Sequence, residues 1–260
     1  MQNKCLAFIR VSSSQYNEDV WKNNKLYMNR QTFFHDTELA PGQQDTSEGL
    51  VSTLPGELRW SITQGEKWSD PPLEITSLSY NPYAYIFCVY AVNSDGLKFC
   101  SEENGYIYTI SWEYIKDFWK DGKTDEMLII LSTGLFKQKF LQAATKVGRS
   151  SLMGTVKYDL DQKSHDPEYI QQVMYDGSIV VFHKKKIHAK EQEYRFGVIC
   201  PDQPEHFELF LEDTKNIHYH ILKLQENCSV QLLFKNVRFD EDGELLSFDE
   251  NVGFRFIQET

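Results

Sequence analysis

Lys184-Lys185-Lys186-Ile187-His188-Ala189-Lys190-Glu191-Gln192-Glu193-Tyr194-Arg195, followed by Phe196-Gly197-Val198-Ile199-Cys200, places a basic run and two carboxylates at the mouth of an apolar segment. The apolar and aromatic residues from Tyr194 to Cys200 predict a strand. Glu191 and Glu193 stand at i and i+2, which on extended backbone points both side chains the same way. Like charges that close raise one pKa, which suits one carboxylate to accepting hydrogen bonds and the other to acting as a base. Read alone, the pair is a charged strand entry with Glu–Lys pairs. The lysines, with His183 and His188, read alone as a solvated loop or strand end.

Outward from this stretch, short alternating or fully apolar runs dominate. Strands are predicted over Cys5 to Val11, Lys25 to Met28, Leu58 to Ile62, Tyr85 to Val92, Tyr106 to Ile110 and Met127 to Leu131. Others are predicted over Thr155 to Leu160, Ile179 to His183, Phe207 to Leu211, Ile217 to Leu224, Val230 to Phe234 and Val252 to Ile257. Three segments carry helical signals. Ser111 caps Ser111 to Trp119, and Phe136, Phe140, Leu141 and Ala144 form a stripe along Gly134 to Val147. Asp166 before Pro167 opens the helix Pro167 to Met174. Phe34 to Val51 and Gln64 to Pro72 are long polar loops of the kind that carry function. No linker composition interrupts the chain, so one α+β domain spanning 1–260 is expected, rich in strands with a few peripheral helices.

Seventeen Phe and fourteen Tyr among 260 residues supply area for a large core. The formal charge of −11 argues against a protein that coats DNA or RNA. Five cysteines, odd in number and never within four residues of one another, predict reduced buried thiols rather than a zinc site. That usage suits the cytoplasm. No apolar run is long enough for a membrane span, and Cys5 to Ile9, interrupted by Arg10, reads as a strand rather than a signal segment. Neither a P-loop, nor Gly-x-Gly-x-x-Gly, nor a Gly-x-Ser-x-Gly nucleophile elbow is present.

The segment Phe182 to Val198, with Glu191-x-Glu193 at the start of its strand, resembles the Glu-x-Glu region of mono-ADP-ribosyltransferases of the Arg–Ser–Glu class. The resemblance implies split β-sheets around an NAD cleft. Glu193 would then be the catalytic carboxylate that stabilises the oxocarbenium-like transition state, with Glu191 positioning or activating the acceptor. The family's early-strand arginine corresponds to Arg10. Alternation sets Phe8 and Arg10 on one face and Ile9 and Val11 on the other, so Arg10 can reach a pyrophosphate. Two Ser-Thr pairs partly match the family's Ser-Thr-Ser motif: Ser132-Thr133, followed by Gly134, and Ser52-Thr53, followed by Leu54. Ser132 also suits the N-cap of the next helix.

A looser pattern, from Trp21 and Leu26-Tyr27-Met28 through Asp45-x-x-Glu48-Gly49 to Glu191-x-Glu193-x-Arg195, is similar to a group of uncharacterised bacterial and phage proteins. It implies that Asp45, Glu48 and Glu193 belong to one constellation, with Glu48 at the cofactor. Asp45, Glu48 and His35 are alternatively oxygen and imidazole ligands for Mg²⁺ or Mn²⁺. His218 and His220 share a strand face, where solvent exposure is the commoner role. Trp60, Trp68, Tyr80, Tyr83 and Tyr85 offer stacking surfaces or core.

The expected function is ADP-ribosyl transfer from NAD to a macromolecular acceptor, protein rather than nucleic acid given the acidic surface. A toxin or a role in phage defence follows from the resemblance, with a target or neutralising protein as partner. The alternatives are a non-enzymatic nucleotide- or protein-binding module, and a metal-dependent nuclease using Asp45, Glu48, Glu191 and Glu193.

Overall fold

A computed structural model describes residues 4–35, 45, 48–52, 56–58, 73–75, 78–79, 83–119, 125–164, 166–202, 204–241, 245–249 and 251–259. Trp60, Trp68, Tyr80, Thr53 and the loop Gln64 to Pro72 lie outside them, as does most of the predicted strand Leu58 to Ile62.

The chain begins with β1 (Cys5–Ser12), α1 (Ser14–Trp21) and β2 (Lys25–Arg30). Four short strands follow: β3 (Leu50–Ser52), β4 (Gly56–Leu58), β5 (Leu73–Ile75) and β6 (Leu78–Ser79). Next come β7 (Ala84–Asn93), β8 (Lys98–Cys100), β9 (Gly105–Ile110), α2 (Trp112–Ile115), β10 (Glu126–Ile130) and α3 (Thr133–Lys146). β11 (Ser150–Thr155), α4 (Leu160–Lys163), α5 (Pro167–Tyr175) and β12 (Glu193–Ile199) lead to the last part of the chain. That part holds β13 (His206–Phe210), β14 (Tyr219–Lys223), β15 (Cys228–Phe234), β16 (Arg238–Phe239), β17 (Leu245–Ser247) and β18 (Gly253–Gln258).

The architecture is α+β, with antiparallel sheets. The main sheet runs β11-β12-β7-β1-β10-β14, while β2, paired to β13, also joins β7. A second sheet runs β18-β15-β9-β8. Alternation along the main strands buries different residues on its two faces. Phe8, Phe87, Leu128, Tyr194 and Phe196 meet Phe136 and Phe140 of α3 on one face. Ile9, Val11, Val92, Met127 and Ile129 meet Ile110, Val230 and Leu232 of the second sheet on the other. Among the described residues no helix is long and apolar enough to cross a membrane.

The feature that positions the site is a fork. One flank of β7 is paired by β12 from Ala84 to Tyr90 without a break. The other flank pairs β1 only as far as Ile9↔Tyr90, and pairs β2 only from Asn29↔Ile86. Among the described residues Phe87, Cys88 and Val89 have no strand partner on that flank, so β1 and β2 diverge and a slot opens through the sheet.

Two predicted strands take other forms. Ile179 to His183 lies mostly in a 3₁₀ helix, Gly177–Phe182, because the Asp176 side chain accepts from the Ser178 N–H at 3.0 Å and caps it. Short apolar runs do not distinguish buried helix from strand. Thr155 to Leu160 holds the end of β11 and the start of α4, since β11 is the more polar run before it, carried as a strand by its pairing with β12. Helix α1, whose sequence is mostly polar, was not predicted and buries only Asn17 and Val20. The α2 helix is the single turn Trp112–Ile115 of the longer segment expected.

Candidate functional site

Arg195 is the key to the local geometry. It is fully buried on β12, two residues after Glu193, and therefore on the same side of the strand. Its Nε donates to Glu193 Oε1 at 3.0 Å and its NH2 to Glu193 Oε2 at 3.1 Å. The opposite fork of the guanidinium bonds Glu48, NH1 to Oε1 at 2.6 Å and NH2 to Oε2 at 2.7 Å. NH1 also donates to the Val181 carbonyl at 2.5 Å. Paired bidentate contacts of this kind use the planar fork that only arginine has. Gln31 adds a bond to Glu48 Oε1 at 2.9 Å.

Lys184 occupies the other side. Its Nζ lies 2.6 Å from Glu191 Oε2, 3.3 Å from Glu193 Oε2 and 3.4 Å from Asp45 Oδ2. His188 stands behind Glu191, with Nδ1 2.7 Å from Oε1 and Nε2 3.5 Å from Asp45 Oδ1. The Glu193 N–H donates to the Tyr158 hydroxyl at 2.7 Å. Glu191 closes a 3₁₀ turn and Gln192 is left-handed at φ 38°, so the two glutamates converge through a backbone reversal rather than along one extended segment.

The electrostatics follow from this packing. Burial alone would raise the Glu193 carboxyl, but Arg195 and Lys184 outweigh it and hold Glu193 well below the usual carboxylate range. Burial alone would lower the Lys184 ammonium, but Glu193, with Glu191 and Glu48, keeps it well above its ordinary value. Burial likewise opposes the charge on Arg195, and Glu193 and Glu48 override it. Burial drives the Cys88 thiol strongly upward, so it stays neutral. Lys184 and Arg195 fill the space between Asp45, Glu48, Glu191 and Glu193, which is where a metal shared by those four would sit. Among the described residues no group of three or more His, Cys, Asp or Glu is arranged to hold a metal ion.

His188 gives the cluster a pH dependence. Its hydrogen bond to Glu191 raises its pKa, with the charges of Glu191 and Asp45 helping and Lys184 opposing. A raised pKa stabilises the fold fully below the unfolded value near 6.5, and that stability is lost as pH rises through the folded value. The melting-temperature advantage of the wild type over His188→Gln should therefore be greatest near pH 6 and fade on the alkaline side. A pH-independent difference would show that His188 is not held charged.

A cavity of about 130 Å³ occupies the fork. It brings together Arg10, Lys184, Glu191, Glu193 and Arg195, with Phe33, Phe34, Phe87, Tyr114 and Phe118 as aromatic walls. Arg10 lies over the Phe87 ring, 4.5 Å from its centroid. Among the described residues no hydrogen bond or ion pair ties its guanidinium, and burial pulls its pKa down to about 10. It is a cation stacked on an aromatic face and facing a cavity, with only the more distant charge of Asp19 favouring its protonated form.

Of the residues singled out from sequence, Arg10, Glu191 and Glu193 thus share the cleft, and Glu48 and Asp45 buttress it from behind. Ser132 and Thr133 are not among the residues that line it. The Ser132 hydroxyl accepts from the His218 N–H at 3.2 Å, and Thr133 Oγ1 donates to the Cys5 carbonyl at 3.1 Å. The Thr133 bond ties the start of α3 to the far end of β1, about 16 Å along the strand from Arg10 at the ordinary rise per residue, and the Ser132 bond ties it to the residue before β14. His220 faces Phe254 across 5.2 Å. Lys184 departs most from its sequence reading, being buried and ion-paired rather than solvated. Arg195 was legible in principle: Glu193-x-Arg195 inside an apolar strand places both charges on one buried face.

No protein-family model, curated protein or solved structure matches this chain.

Proposed function

We propose that the chain binds NAD in the fork of the main sheet and transfers its ADP-ribose to a macromolecular acceptor. The observation that carries this reading is Arg10, a cation with no hydrogen bond or ion pair among the described residues, which shares a ring-sized cavity with the ionised Glu193. A cavity near 150 Å³ admits benzene, so about 130 Å³ suits one ring of the dinucleotide. Arg10 takes the phosphates. Glu193, kept charged by Arg195 and Lys184, faces the ribose carbon and stabilises the positive charge that develops as its bond to nicotinamide breaks. Nicotinamide leaves with the bonding electrons, the acceptor nucleophile attacks the same carbon, and its proton passes to Glu191, backed by His188. The divergence of β1 and β2 supports an ADP-ribosyltransferase-like split sheet. The net charge of −11 favours a protein acceptor, and the setting is a toxin or phage–host conflict in the cytoplasm, with a target or neutralising protein as partner.

One observation favours a second reading, a nucleotide-binding module without turnover. Both Glu193 oxygens are already shared with Arg195 and Lys184, which leaves fewer lone pairs for a reacting substrate. Labelled NAD incubated with the protein and a cell lysate separates the two. Transfer of label by the wild type, lost in a Glu193→Gln variant that still binds NAD, is the expected result. Intact transfer by Glu193→Gln removes the catalytic role of Glu193, and NAD binding without any transfer by the wild type selects the second reading.

A further inference from the structure

The fork turns three strand edges toward one another. In an antiparallel ladder the N–H and C=O of one residue point to the same side, and successive residues alternate. The Ala91 N–H bonds the Gln192 carbonyl at 2.8 Å, so Ala91, Val89 and Phe87 turn toward β12. Tyr90, Cys88 and Ile86 turn the other way. Tyr90 meets Ile9 of β1, and Ile86 meets Asn29 of β2. Cys88 lies between them and meets neither strand.

The same alternation extends to both lips. Val11, two residues past Ile9, and Tyr27, two before Asn29, also direct their backbone groups into the gap. All three residues line the cavity. Among the described residues none of the three has a backbone partner on that side. Buried backbone donors and acceptors are nearly always satisfied by protein, water or ligand, so three such edges around one slot constitute a hydrogen-bonding surface that the described residues leave unused.

We infer that the fork reads a flat ligand edge carrying a donor and an acceptor side by side, such as a primary carboxamide or the amide or amidine edge of a nucleobase. Cys88 N–H and C=O make the paired contact, and Val11 or Tyr27 completes it. The stacked Arg10–Phe87 pair and the ring-sized cavity call for a planar group. A carboxylate in place of the carboxamide loses, because it has no donor for the Cys88 carbonyl. This deepens the NAD reading and rests on it for the identity of the whole ligand. NAD carries two edges of this chemistry, at nicotinamide and at adenine.

Amide hydrogen exchange on the full chain tests it, with nicotinamide, adenine and nicotinate as separate probes. In the free protein the Cys88 amide should exchange at least about tenfold faster than those of Tyr90 and Ile86, since exchange follows local hydrogen bonding. Saturating nicotinamide or adenine should slow Cys88 by about tenfold or more, and nicotinate should not. The stronger protector identifies which end of the dinucleotide enters. A Cys88 amide already as protected as Tyr90, or equal protection by nicotinate, overturns the inference. NAD binding that leaves Cys88 unprotected also overturns it while sparing the proposed function. Protection by the free rings with no NAD binding spares the inference and rejects the function.

Discussion

Arg195→Met should lower the melting temperature by roughly 6–20 °C, the largest stability loss expected of any single substitution near the site. Removing one member of a buried ion pair costs about 3–5 kcal/mol, because the partner is left charged and unpaired. Arg195 has two such partners, Glu48 and Glu193, each held by two bonds. At about 2–4 °C per kcal/mol for a chain of this order, that loss spans roughly 6–20 °C. Arg195→Lys keeps the charge without the planar fork and should fall in between. Adding Glu48→Gln to Arg195→Met should recover part of the loss, since one orphaned charge disappears. Thermal unfolding of the three variants decides the matter, and an unchanged melting temperature in Arg195→Met would refute the network as a stabilising element.

Arg10→Gln is expected to do the opposite: weaken ligand binding and leave the fold intact. A charge-assisted bond to phosphate contributes about 1.5–3 kcal/mol, which is roughly 10- to 100-fold in Kd. The free protein loses a cation–π contact worth about 0.5–2 kcal/mol, but it also sheds a half-buried cation that no ion pair holds among the described residues, which offsets that loss. Calorimetric titration with NAD and with ADP-ribose should show both weakened, with a melting temperature within a few degrees of wild type. Equal affinity in the variant would remove Arg10 from the phosphate site. Arg10 and Arg195 thus make a contrasting pair, a half-buried arginine that faces the cavity and a fully buried one that holds the structure.

How much of this was legible depends on the range of the interaction. The periodicity of Cys5 to Val11 and Tyr194 to Cys200 placed β1 and β12 to within a residue or two, and the Asp166-Pro167 start placed α5, whose Asp166 side chain accepts from the Glu168 N–H. Phe8 and Arg10 were assigned to one face, and they share it, since both pack beside Phe87. The 3₁₀ segments at 177–182 and 186–191 were not legible, because a capping side chain and a left-handed Gln192 set them rather than any hydrophobic period.

By itself the sequence determined a strand-rich α+β chain, an arginine on the first strand, and a carboxylate pair at the entry to a late one. These are properties of local pattern, in which each residue's preference is expressed within a few neighbours. Only the tertiary structure decided that Lys184 is buried, that Glu48 crosses 147 positions to meet Arg195, and that Ser132 and Thr133 anchor α3 away from the cleft. It also decided where the basic run and carboxylate pair belong. They read as exposed charge when taken in order along the chain, yet they close a cleft because β1 and β2 part along β7. Strand register depends on pairing between distant segments, and the fork exists only once those registers are set.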